Sequence, residues 1–259
     1  MQSQAENKQL KHQDIHALVE VGLASAGIIH EVKNALQGIA NALFLLDTEK
    51  NLTPKAREWI AVAHRELSRA FDVSRETLAL VREENMADVK VNDILEDVLS
   101  NYAGKIAYKS VTVERRYEFH ETIQADPGAV RQVFANIILN ALECAPKQAG
   151  KLTIHTRASR PVNGNDVRGV RIIFVDNGPG IPQAYKKKVF QPLFSTKKGK
   201  GTGLGLWVTE KLIRKQHGGL HMRSSNKRPL SGTCFSVFLP LNSDHADPNH
   251  ANQNQANQN

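Results

Sequence analysis

A chain of 259 residues that is 41% hydrophobic and 23% charged has the composition of a soluble globular protein with room for one large domain or two modest ones. Two cysteines, Cys144 and Cys234, make no disulfide framework. No apolar run reaches the ~20 residues of a membrane span, and the polar start MQSQAENKQLKHQD is no signal peptide, so a cytoplasmic protein without a membrane segment is expected. The net charge of +8 does not imply a nucleic-acid partner. The basic residues are spread along the chain, and their densest group, Lys186, Lys187 and Lys188 with Lys197, Lys198 and Lys200, lacks the interleaved aromatics of a single-strand binder.

In chain order, residues 1–13 form a polar lead-in. From about Asp14 the pattern is that of two long helices. In the first, Ser25, Ile28, Val32, Ala35, Ile39, Ala42 and Leu46 fall at a and d of a heptad, and Ile29, Leu36 and Leu43 add an adjoining stripe. The linker DTEKNLTP ends in Thr53-Pro54, an N-cap followed by proline at the first helical position. The second helix repeats the spacing with Ile60, Ala63, Leu67, Ala70, Leu78 and Val81. Helices of roughly 33 residues are about 50 Å long. Two of them cannot bury such wide stripes against each other. A homodimeric four-helix bundle is therefore expected, with a hairpin packed on its own C-terminal domain as the alternative.

HEVKNAL, beginning at His30, lies within the first helix. It misses the zinc motif H-E-x-x-H because Asn34 stands at the second histidine position. What it leaves is one imidazole, one carboxylate and one amide on adjacent turns. On the heptad, His30 falls at f and points outward.

After a join near residues 86–90 the pattern becomes mixed. Strands are expected at 111–117, 151–157, 169–176, 220–225 and 233–240, and helices at 91–107, 127–145 and 204–218. The interleaving lacks the regular alternation of a doubly wound sheet and favours an α/β sandwich with helices on one face, an α+β chain as a whole. Domains at 14–86 and 87–241 follow. The Asn- and Gln-rich tail 242–259 is expected to be disordered.

Three motifs in the second region bear chemistry. Asp126-Pro127 caps a helix whose apolar stripe, Val130, Phe134, Ile137, Ile138 and Ala141, is flanked by Asn136, Asn140 and Glu143 at i, i+4 and i+7. Asparagine is a poor helix former, so two of them in an apolar run are either solvent-facing or serve as oxygen ligands suited to magnesium. The buried strand IIFVD runs into Asp176-Asn177-Gly178-Pro179-Gly180, where a strand-end carboxylate could accept from an exocyclic amine and glycines allow a flat ligand close. A turn without a ligand reads equally well there. In KGKGTGLGLW, Gly201, Gly203 and Gly205 precede an amphipathic helix, offering N–H groups to phosphate. The spacing meets neither the dinucleotide fingerprint nor a Walker A loop, and no H-R-D or D-F-G element is present.

Together and in this order, N-I-I-L-N-A, D-N-G-P-G, V-F-Q-P-L-F and G-T-G-L-G-L resemble the N, G1, F and G2 boxes of the Bergerat-fold ATP-binding domain. With HEVKN upstream on a dimerising helix, residues from about 14 to 241 resemble a two-component sensor histidine kinase. The resemblance implies ATP and Mg²⁺ as ligands and a response regulator receiver domain as partner. It implies that Asn140 coordinates Mg²⁺, with Asn136 on the same stripe, and that Asp176 binds the adenine amino group beside Gly178 and Gly180. Residues of roughly 190–203 become a lid docked by Phe190 and Phe194, with Thr196 and Lys197 as phosphate contacts. Gly201, Thr202, Gly203, Leu204 and Gly205 form the phosphate cradle, and Gly232-Thr233 matches a weaker box beside the adenine.

His30 matches the phosphoacceptor, Glu31 the group that draws off its proton, and Asn34 the amide that orients water for dephosphorylating the partner. Kinase and phosphatase activities are both implied. Ala35 departs from the family pattern, which often has proline there, so a straighter first helix is expected. An ATP-hydrolysing Bergerat enzyme would carry a glutamate where this chain has Asn136, and a non-catalytic nucleotide-binding scaffold would not need His30 and Glu31. No sensor domain precedes Asp14, so the input is expected from a larger chain, an upstream helix or a partner. The handedness of the DTEKNLT connection decides whether a subunit phosphorylates itself or its mate.

Overall fold

A computed structural model of the chain describes residues 26–49, 51–81, 84–159, 167–196, 202–227 and 231–241. The expectations for residues 1–25, for Lys197, Lys198, Lys200 and Gly201, and for the tail lie outside the described residues. The chain divides into two compact units, residues 1–83 with 187–208, and residues 84–186 with 209–259.

In the first unit, α1 (Ala26–Thr48) and α2 (Pro54–Val81) form a hairpin. The expected cap is present: the Ala56 N–H donates to Thr53 Oγ1 at 3.1 Å, and Pro54 opens the helix without wasting a donor. His64 Nε2 meets Asp47 Oδ2 at 2.7 Å near the turn. The seam is made by Leu43, Ile60 and Leu67, with Leu36, Ala40, Leu52, Ala63 and Phe71 packed on them.

The hairpin uses one of the two stripes on α1. The hairpin closes on the adjoining stripe of α1, and the a and d residues Val32, Ile39 and Leu46 are left 45%, 52% and 45% exposed. One helix can bury only one stripe of its partner, and the hairpin takes the stripe containing Leu36 and Leu43. No helix among the described residues is long and apolar enough to cross a membrane.

The second unit is built on a mixed five-stranded sheet in the order β2-β4-β5-β7-β6, from β2 (Val111–Tyr117), β4 (Gly150–Ser159), β5 (Gly169–Asp176), β6 (Gly219–Ser225) and β7 (Gly232–Pro240). Only β2 and β4 run parallel. All five match the expected strands to within a residue or two at each end. Two further strands, β1 (Ala87–Val89) and β3 (Ile123–Ala125), pair antiparallel and lie outside the expected set. They are three residues long, too short for alternation to show.

The expected helix over 91–107 is two, α3 (Val91–Asn101) and α4 (Ala103–Tyr108), because the Tyr102 N–H is shared between the Val98 and Leu99 carbonyls and breaks the register. Helix α5 (Pro127–Cys144) packs on α3 and on the sheet. Its Val130, Phe134, Ile137, Ile138 and Leu142 are fully buried, and Phe134 meets Phe174 of β5 at a ring-centroid distance of 5.7 Å. Asp126 caps α5, accepting from Gly128 N at 2.7 Å and Ala129 N at 3.2 Å. The α+β class and the mixed sheet with packed helices agree with the expected sandwich. Helix α6 (Gly205–Lys215) opens at the glycine-rich stretch.

Candidate active site

Asp176 ends β5, where alternation places it on the same face as Phe174 and Ile172, toward α5. Its Oδ1 accepts from the Gly178 N–H at 2.8 Å and from the Thr233 N–H at 3.2 Å. Among the described residues no donor meets Oδ2. Burial raises the carboxyl above its ordinary value, and the two N–H groups pull it partly back. One oxygen is thus fixed by backbone and the other left for an outside donor, as an amine-reading carboxylate requires.

The loop after Asp176 is held by the chain itself. Gly180 has φ +70°, and a Cβ there would run into the Ser225 carbonyl, so glycine is dictated by the close backbone approach of β6. At Gly178 a Cβ would come within 2.8 Å of Asp176 Oδ1. Asn177 turns away and clamps the start of β4: its Oδ1 accepts from Lys151 N at 2.8 Å, and its Nδ2 donates to Ala149 O at 2.7 Å. Thr233 lies opposite Asp176 in the β5–β7 ladder, and Ser224 lies opposite Thr233 in β6–β7. The roles of Asn177 and Ser224 were not visible in the sequence, since each depends on a segment distant along the chain.

On α5 the two asparagines diverge. Asn136 is buried, donating to Thr209 Oγ1 at 3.3 Å and accepting from Gln132 Nε2 at 3.0 Å. It therefore faces α6 and is not part of an open polar stripe. Asn140, one turn on, is half-buried, and Glu143 is exposed with Lys105 Nζ at 3.2 Å. Among the described residues no group of three or more His, Cys, Asp or Glu could hold a metal ion. The Asn140 side-chain oxygen is of the hard donor type that suits a cation keeping water and phosphate oxygens as its other ligands.

In the first unit, Lys188–Phe190 forms a 3₁₀ turn, Phe190 and Phe194 are half-buried and Thr196 is exposed. Thr202 is buried and its Oγ1 accepts from the Leu204 N–H at 3.1 Å. Leu204 is fully buried just ahead of Gly205, the first residue of α6, and Gly203 has φ +73°. Lys197 and Gly201 lie outside the described residues. In the hairpin, His30, Glu31 and Asn34 all lie on α1, and Asn34 is exposed. The side chains of His30 and Glu31 lie outside the described set.

The family of histidine kinase-, DNA gyrase B- and HSP90-like ATPases matches residues 125–243, the span that holds α5, Asp176 and the glycine-rich stretch. Sporulation kinase C of Bacillus subtilis (strain 168) is 32% identical over 228 residues, covering 85% of this chain and 49% of that protein. The sensory histidine kinase/phosphatase NtrB of Vibrio alginolyticus is 30% identical over 221 residues, 83% of this chain and 61% of that one. Residues 125–243 thus carry a domain of this ATPase family, and the relatives that match most of the chain are named as kinases of the sensor histidine kinase type. The chain spans roughly half the length of the curated relatives it matches. A crystal structure of histidine kinase ThkA in complex with response regulator protein TrrA shares the fold, with a TM-score of 0.59 and 23% identity over 93% of this chain and 67% of that one.

Proposed function

We propose that the chain is an ATP-dependent protein histidine kinase, with residues 14–86 as the dimerisation and phosphotransfer domain and 87–241 as the catalytic domain. The observation that carries this reading is Asp176, whose Oδ1 is bound twice by backbone while Oδ2 has no donor among the described residues. An exocyclic adenine amine supplies that donor.

Phosphoryl transfer needs positioning and charge neutralisation more than covalent help from the protein. The His30 nitrogen attacks the γ-phosphorus, the bond from γ-phosphorus to the bridging oxygen breaks, ADP leaves, and Glu31 takes the imidazole proton. Asn140 would hold Mg²⁺, which when bound neutralises charge on the phosphates. Gly203, Gly205 and the lysine-rich 197–200 stretch are proposed as phosphate contacts, and Phe190 and Phe194 as the anchors of a closing segment. The phosphoryl group then passes to an aspartate of a response regulator, the kind of partner with which ThkA forms its complex. Asn34 is proposed to orient water for the reverse, phosphatase, function, in keeping with the kinase/phosphatase name of NtrB.

A homodimer is proposed on the hairpin's exposed stripe. At about 100° per residue, Val32, Ile39 and Leu46 lie roughly 50° round α1 from the Leu36–Leu43 seam. Trp59 and Val62, 63% and 43% exposed, lie roughly 120° round α2 from Ile60 and Leu67 in the same rotational sense. In an antiparallel pair both offsets fall on the same side, making one apolar face that a second copy would cover.

Steady ATP hydrolysis is the rival, and Asn136 opposes it: an amide cannot take a proton from water, and this one is engaged with Thr209. The test is incubation with γ-labelled ATP and Mg²⁺. An acid-labile, alkali-stable label on the protein supports the kinase; steady phosphate release with no labelled protein supports the ATPase.

A further inference from the structure

Asp176, Thr233 and Ser224 stand in one cross-strand row over β5, β7 and β6. The Ser224 hydroxyl lies 2.7 Å from Ile181 N, 2.9 Å from Gly232 O and 3.0 Å from Thr233 Oγ1. A hydroxyl has one proton and two lone pairs, and one assignment satisfies all three contacts. Ser224 donates to the Gly232 carbonyl, which can only accept. It accepts from the Ile181 N–H, which can only donate, and from the Thr233 hydroxyl. Its capacity is then full, so Ser224 has nothing left to offer a ligand directly.

What it joins are the two pieces of backbone that hold Asp176. Ile181 closes the loop that carries the Gly178 N–H, and Thr233 supplies the other N–H on Asp176 Oδ1. Gly180, between them, already rests on the Ser225 carbonyl. The end of β6 is thus the common anchor for both donors.

We infer that Ser224 is a positioning residue for base recognition, fixing the orientation of the Asp176 carboxylate so that Oδ2 meets the exocyclic amine of adenine. This rests on the reading of Asp176 as the adenine-amine acceptor. A residue that only stabilised the fold would weaken all nucleotides alike. One that aims Asp176 controls the preference for a base with the amine over one without it.

The experiment measures equilibrium binding of ATP and of inosine triphosphate, which lacks the amine, to the full chain with Mg²⁺. Wild type is expected to prefer ATP, and Asp176→Asn to lose that preference. Ser224→Ala leaves the Ile181 N–H without its acceptor and is expected to weaken ATP by about tenfold while inosine triphosphate changes less than about twofold. Ser224→Thr, which keeps the hydroxyl, restores the preference. If Ser224→Ala does not fold, Ser224→Cys, similar in size and a poor hydrogen-bonder, replaces it in the same assay. A preserved ATP preference in the folded Ala or Cys variant, or an equal loss for both nucleotides, overturns the inference while leaving Asp176 intact. An Asp176→Asn protein that still prefers ATP overturns the Asp176 reading, and this inference with it.

Discussion

Asp176 separates stability from function at a single carboxylate. Burial raises its carboxyl in the folded chain, so the folded state holds a proton more readily than the unfolded one. The stability this group adds is therefore present at acid pH, below the ordinary carboxylate value. It is lost as pH rises through the raised one, leaving the ionised form a burden at neutral pH. Asp176→Asn removes that burden and keeps an oxygen for the Gly178 and Thr233 N–H groups. Calorimetry at neutral pH should show a melting temperature no lower than wild type. Titration with ATP should show affinity down by about 100-fold or more, because an amide N–H would now face the adenine amine. A lower melting temperature with unchanged affinity would reverse both assignments. The place of Asp176 was legible because a strand-end carboxylate before a glycine turn is a local pattern. Ser224 was not, because nothing within β6 distinguishes a serine that binds its own loop from one that faces solvent.

Among the elements, the five sheet strands were legible where alternation ran for seven residues or more, and β1 and β3 were not, since tertiary pairing alone makes them strands. The hairpin shows how far periodicity reaches. It identified two apolar stripes on α1 without saying which makes the intramolecular seam, because both have helical spacing and only the packed partner distinguishes them. The structure turns this into a paired prediction. Leu43→Ala, at a buried seam position, should destabilise the hairpin by roughly 2–5 kcal/mol in chemical denaturation. Ile39→Asp, on the exposed stripe, should leave the far-UV circular dichroism of the hairpin unchanged but shift the mass in light scattering from dimer to monomer. A monomeric wild type would remove the basis for the second arm. Gly180→Ala tests the G1 loop in the same way. With φ +70° and the Ser225 carbonyl in the path of a Cβ, it should lower both melting temperature and nucleotide affinity.

In the molecule as a whole, the proposed reaction brings phosphate from a nucleotide read by Asp176 to His30 of α1. The order of the N, G1, F and G2 boxes made the ATPase domain legible, since each box alone also reads as a cap, a turn or a loop. Less legible was which of its residues the fold would use for itself: Asn136 is spent on Thr209, and Gly180 on the backbone of β6. The central claim is that His30 receives the γ-phosphoryl group. Wild type and His30→Gln, both shown to bind ATP, are incubated with γ-labelled ATP and Mg²⁺ and followed for acid-labile label on the protein. Label on wild type and none on His30→Gln, at unchanged ATP affinity, is the predicted result. Label of equal amount on His30→Gln would contradict it.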